Sequence, residues 1–97
     1  MKLIFDWDAK KARSNIKKHK ISFDEAKTIF LDSYLVTYPD RLHSFYEERY
    51  ISIGYSTRNR ILLAVHTEHE EAENTIVIRI ISSRKATPEE RKNYEEN

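Results

Sequence analysis

Apolar and polar positions change their period along this chain, and each change marks an element. Lys2-Leu3-Ile4-Phe5 is a short edge-strand candidate. From Ala9 to about Lys20 the period is helical, with Ala9, Ala12 and Ile16 on a narrow apolar stripe and Asp6 or Asp8 placed to cap the start. Ser22-Phe23-Asp24-Glu25 has the form of a capping box and predicts a second helix, at an angle to the first, burying Phe23, Ala26, Ile29 and Phe30 and ending near Leu31. A period of two then takes over. Tyr34–Tyr38, Glu48–Ser56, Arg60–Glu68 and Thr75–Arg84 read as strands. Pro39-Asp40 ends the first of these, and Arg41–Tyr46, which carries His43, has no clear period and reads as a loop. Ser56–Asn59 suits a tight hairpin, and the acidic tract after Glu68 reads as a second hairpin connection. Thr87-Pro88-Glu89-Glu90 opens a last helix, with a threonine cap, proline at the first helical position and acids facing the helix dipole.

The order β-α-α-β-β-β-β-α is that of an α+β fold. The short connections between the last three strands imply an antiparallel meander, with the helices packed on one face. Alternation sorts the strand side chains. Ile51, Ile53 and Tyr55, then Ile61, Leu63 and Val65, then Ile76, Ile78 and Ile80 form apolar rows expected to meet the helices. The opposite rows carry Tyr50, Ser52 and Gly54, then Leu62, Ala64 and His66, then Val77, Arg79 and Ser83. On this reading His66 and Arg79 share an exposed sheet face, and Gly54 leaves room for a ligand backbone.

Composition narrows the class. Ninety-seven residues make one domain, residues 1–97, with a single core. No apolar run approaches the roughly 18 residues of a membrane span, and Asp6 falls too early for a signal peptide, so a soluble, cytoplasmic protein is expected. There is no cysteine, which excludes disulfides and thiol catalysis, and Gly54 is the only glycine, which excludes phosphate-cradling glycine loops. Net charge is only +1, but Lys10, Lys11, Arg13, Lys17, Lys18 and Lys20 crowd one segment. Such a run is more often a solvated helix face than a nucleic-acid site.

A face carrying His66 and Arg79 suits phosphate. Arginine offers a bidentate fork to phosphate oxygens, and histidine is the common acid or base near neutral pH. Cleaving RNA without a metal requires a base for the 2′-hydroxyl proton, cations for the phosphorane and an acid for the leaving 5′-oxygen. The competing structural reading makes His66 a satisfied strand residue and pairs Arg79 with a carboxylate such as Glu48. His66-Thr67-Glu68-His69 lacks the helical zinc pattern, and no metal or cofactor is expected.

Taken together, the motifs resemble the BrnT toxins, small RelE-like ribonucleases of bacterial type II toxin–antitoxin systems. The resemblance is carried by Phe5-Asp6-Trp7-Asp8, Lys11, Asn15, Lys18-His19 and Ser22-Phe23-Asp24-Glu25-Ala26, then by Glu48-Arg49, Ile53-Gly54-Tyr55-Ser56, Arg60 and Val65-His66-Thr67. It continues through Ile78 to Thr87, Glu90-Arg91 and Tyr94, leaving only Asp40–Glu47 undiagnostic. Lys20 and Ser83 stand where the family commonly has glycine and alanine. The resemblance implies a metal-independent endoribonuclease that blocks translation and is neutralised by a ribbon-helix-helix antitoxin, reaching operator DNA only through that antitoxin. It places Arg79 and Arg84 on the scissile phosphate, His66 as acid or base, and Arg49 and Tyr94 in support. Arg60, Lys18, His19, Ser82 and Lys11 would hold RNA, while Trp7, Asp8 and Phe23 serve the fold. The alternative is a non-catalytic RNA- or protein-binding module using the same face.

Overall fold

The structure is a computed structural model that describes residues 1–96. Its elements are β1 (Lys2–Asp6), α1 (Ala9–His19), α2 (Phe23–Ala26) running into a 3-10 turn (Lys27–Leu31), β2 (Val36–Pro39), a short 3-10 turn (Arg41–His43), β3 (Tyr50–Tyr55), β4 (Ile61–Ala72), β5 (Thr75–Lys85) and α3 (Pro88–Glu96). The order is the expected one. The acidic tract differs: Glu68 to Ala72 continues β4, and the chain turns only at Glu73-Asn74, where Asn74 takes a φ of 58°. Asparagine tolerates that left-handed backbone better than most residues, as Asn59 does in the preceding hairpin at φ 61°.

Five strands form one sheet in the order β1-β5-β4-β3-β2. β2 to β5 are antiparallel, whereas β1 lies parallel to β5, with Asp6 beside Arg79. The helices do not all lie on one face. Ile21, Phe23, Ala26 and Ile29 pack on Leu62, Ala64, Ile78 and Ile80, whereas Tyr94 of α3 packs with Ile53, Ile61 and Leu63 of the opposite rows. Two covered faces require apolar residues in both rows of β4, which is why hydropathy could not assign its sides. The helical face takes the row with Ser52, Gly54 and Ala64 because small residues let the helices come close. A methyl group added to Gly54 would stand 3.0 Å from Leu35 Cδ1 and 3.2 Å from the Ile29 carbonyl oxygen. The glycine therefore admits the chain's own 3-10 turn, not a ligand.

α1 is anchored differently from its expected stripe. Ile16 is exposed, and the buried side chain is Asn15. Beyond Arg79, β5 has no strand on its outer edge, since β1 has ended. There the Asn15 carboxamide takes the place of a strand, accepting from the Ser83 N–H at 3.0 Å and donating to the Ser83 carbonyl at 2.9 Å. Both backbone groups of Ser83 are thereby paired at a buried edge. It also brings the end of α1, with His19, alongside the second half of β5. The helix ends at Lys20, whose φ of 62° is the left-handed cap conformation that glycine adopts without cost.

Candidate functional site

β5 carries a bulge that decides which side chains face outward. His66 pairs with Ile80 but Val65 pairs with Ser82, so Ile81 is left over. Before the bulge the residues on the second face are Val77 and Arg79; after it they are Ser82 and Arg84. Arg79 and Arg84 therefore share a face although their numbers differ by an odd count, and Ser83 turns inward to donate its hydroxyl to the Leu63 carbonyl at 3.0 Å.

Beside the start of α3 this second face is hollowed into a cleft of about 470 Å³. Ile51, Leu63 and Val65 line it, together with Ser82, Arg84, Arg49, His19, His43, Tyr38, Asp40 and Glu90. Arg84 is held by a bidentate bond to Glu90, at 2.8 and 3.0 Å. Glu90 also closes the capping box of α3 with Thr87, so the arginine is referred to a fixed helix end. This bond raises the Arg84 pKa and holds the Glu90 carboxyl below its usual range, so both stay charged. Arg49 reaches the cleft from the segment before β3. Its Nε–H is shut from solvent without a hydrogen-bond partner, the nearest carboxylate oxygen, on Glu47, standing 3.6 Å away. His43 Nδ1 lies 3.1 and 3.0 Å from the two oxygens of Asp40, a buried carboxylate, which fixes the ring and leaves Nε2 free.

The expected site residues divide. Arg49, Arg84, His19 and Ser82 meet in the cleft. Lys11 and Lys18 are exposed on α1 and do not line it. Arg79 lies on the same sheet face, opposite Thr67 and not His66, and its ion pair is with Asp6 of β1, not Glu48. Arg60 is drawn inward: its guanidinium binds Glu25, through Nε to Oε2 at 2.9 Å and through Nη2 to Oε1. Tyr94 is buried, with its hydroxyl donating to Asp32. Burial, followed by that bond, pushes its pKa up to about 12. Burial pushes the Asp32 carboxyl up, but donors from Tyr94, Tyr55 and Tyr34 outweigh it and keep the group below its usual range.

His66 departs furthest from expectation. It is wholly buried on the helical face, edge-on to Phe30 with ring centroids 5.1 Å apart and stacked on Tyr50 at 6.0 Å. Its Nε2 is 2.7 Å from Ser52 Oγ, while Nδ1 has no hydrogen-bond partner, Glu68 Oε1 lying 3.8 Å off. Burial drives its pKa down to about 4, so the ring is neutral. The consequence concerns stability. An unfolded histidine titrates near 6.5, and a drop to about 4 is worth about 3 kcal/mol, fully present above pH 6.5 and lost as pH falls toward 4. Urea unfolding of the wild type should weaken over that window, and His66→Gln should remove most of the slope between pH 6.5 and 5. Equal slopes would refute the assignment.

The residues the sequence reading missed are His43, Asp40, Tyr38 and Glu90. Asp40 and His43 sit three apart in an aperiodic segment, where a one-turn helix brings them together. The spacing alone was the available signal.

Among the described residues no cluster of three or more His, Asp or Glu side chains is arranged to hold a metal ion, and no helix is long and apolar enough to cross a membrane. No curated protein sequence matches the chain. The crystal structure of the Brucella abortus ribonuclease toxin BrnT shares the fold, with a TM-score of 0.64 at 20% identity, over 90% of this chain and 99% of that one. The sequence profile of the family described as "Ribonuclease toxin, BrnT, of type II toxin-antitoxin system" matches residues 7–90. With that match spanning most of its length, this chain belongs to the BrnT family of ribonuclease toxins.

Proposed function

We propose that the chain is a metal-independent endoribonuclease whose active site is the cleft between β3–β5, the segment 40–49 and the start of α3. The observation that carries this reading is the convergence of Arg49, Arg84, His19 and His43 on one concave surface. Two histidines supply both ends of the proton path. One takes the proton of the ribose 2′-hydroxyl as its oxygen attacks the neighbouring phosphorus. The other protonates the departing 5′-oxygen, leaving a 2′,3′-cyclic phosphate and a 5′-hydroxyl. Asp40 holds the His43 ring at Nδ1, which leaves Nε2 as the nitrogen that faces the reacting oxygen. Arg49 and Arg84, both lining the cleft, offset the charge that builds on the phosphorane. On this reading His66, Tyr94 and Arg60 build the fold, and Arg79, Lys11 and Lys18 contribute distant charge to RNA.

The toxin family implies an antitoxin partner. We propose further that this partner has a ribbon-helix-helix DNA-binding domain, that operator DNA is met only through it, that the fold is RelE-like, and that the protein acts on translation in the cytoplasm.

Purified protein should cleave total RNA in excess EDTA as fast as without it, and fragments should end in 2′,3′-cyclic phosphate. Cleavage that stops in EDTA and returns with a divalent cation would overturn the mechanism. Salt-sensitive binding that leaves the RNA intact would establish the rival reading, a binding module without catalysis.

A further inference from the structure

The loop between β2 and β3 is closed at its base and bare at its tip. Asp40 N–H donates to the Arg49 carbonyl at 2.8 Å, Ser44 Oγ donates to the Asp40 carbonyl at 2.6 Å, and Arg49 N–H donates to Ser44 Oγ at 3.0 Å. Above this base stand Phe45, 82% exposed, and Tyr46, fully exposed. Neither ring contributes to either apolar core. They flank a second hollow of about 300 Å³ that shares His43 and Arg49 with the catalytic cleft and adds only Glu47.

We infer that Phe45 and Tyr46 form a stacking subsite for one unpaired RNA base next to the scissile phosphate. The inference rests on the reading of the cleft as an RNA site and adds what that reading lacks, a feature that selects single-stranded substrate. Arg49 belongs to both hollows, so a nucleotide whose phosphate meets Arg49 carries its base toward the rings. Aromatic faces beside cations are the usual means of holding unpaired bases, since every base has a π-face to offer. Glu47 argues that this hollow takes a base and not a second phosphate, because its carboxylate repels an anion and accepts from a base N–H. A closed loop base means that little ordering is required when the base arrives.

The test is binding of a single-stranded RNA, 2′-O-methylated throughout so that no 2′-hydroxyl can attack, carrying 2-aminopurine as a stacking reporter. Wild type should bind and quench the reporter. The Phe45→Ala/Tyr46→Ala variant should bind about 10- to 100-fold more weakly without quenching, at an unchanged urea midpoint because the rings are exposed, and Phe45→Tyr/Tyr46→Trp should restore both. With cleavable RNA, KM should rise while kcat holds. Wild type that fails to bind would refute the RNA reading of the cleft itself. Wild type and alanine variant that bind alike would refute only the subsite. If the alanine variant binds RNA normally but no longer associates with its co-expressed antitoxin, the rings serve a protein partner and the inference falls.

Discussion

Arg84→Ala should lower kcat/KM for RNA cleavage in EDTA by about 10²- to 10³-fold, the usual loss when one preorganised donor to a developing oxyanion is removed. Arg84 is the cleft cation with the most fixed position, because its bidentate partner Glu90 is also bonded to Thr87 at the start of α3. Five guanidinium N–H groups leave donors for a phosphate even while Glu90 is engaged. Arg84→Lys keeps the charge but loses the planar fork, so it should recover only a small part of the rate. Stability should change far less than activity, since the pair is partly exposed and the Thr87–Glu90 capping box remains. Single-turnover cleavage alongside urea unfolding separates the two. A variant that folds normally and cleaves within threefold of wild type would remove Arg84 from the chemistry.

The difference between what was legible in the sequence and what was not follows the range of the interaction involved. Elements were legible because they depend on neighbours: Ser22 does accept from the Glu25 N–H, and Thr87 does cap α3. The sides of the strands were not. With α3 on the second face, Leu62 and Ala64 are as buried as Ile61 and Leu63, so a polar interruption such as His66 marked neither inside nor outside. Small residues misled in the same way, because Ser52 and Gly54 record the close approach of a 3-10 turn. The bulge at Ile81 shifts Arg84 onto the face of Arg79, and no local pattern announces it. The catalytic candidates suffered most from this. Arg49 and Arg84 entered only through the family resemblance, whereas Asp40 and His43 were hidden in a segment whose pairing depends on a single turn. Basic residues were equally ambiguous: Arg60 and Arg84 each sit near a strand end, and only their partners, 35 and 6 residues away, separate an inward role from an outward one.

Arg60→Ala should destabilise the fold by about 3–5 kcal/mol, the range for leaving one member of a buried ion pair unpaired. Glu25 is the buried member, with only 3% of its side chain exposed, against 31% for Arg60. Its carboxylate accepts from Arg60 Nε, Arg60 Nη2 and, at 2.7 Å, the Ser56 hydroxyl. The bond from Arg60, foremost, holds the Glu25 pKa below the usual carboxylate range, so the group is charged at neutral pH and costly to strand. Removing the acid is the milder change, because Arg60 can turn to water, so Glu25→Ala should cost less than Arg60→Ala. The double variant should cost less than the two single changes together, since the charge left stranded by one is removed by the other. Stranding Glu25 also loosens Ser56, whose N–H and carbonyl close the β3–β4 hairpin at Arg60 and Asn59, so the damage spreads into the sheet. Because Arg60 lies outside the cleft, the folded fraction of Arg60→Ala should cleave RNA at close to the wild-type rate. A stable variant with a large loss of cleavage would return Arg60 to the RNA-binding surface and take it out of the fold.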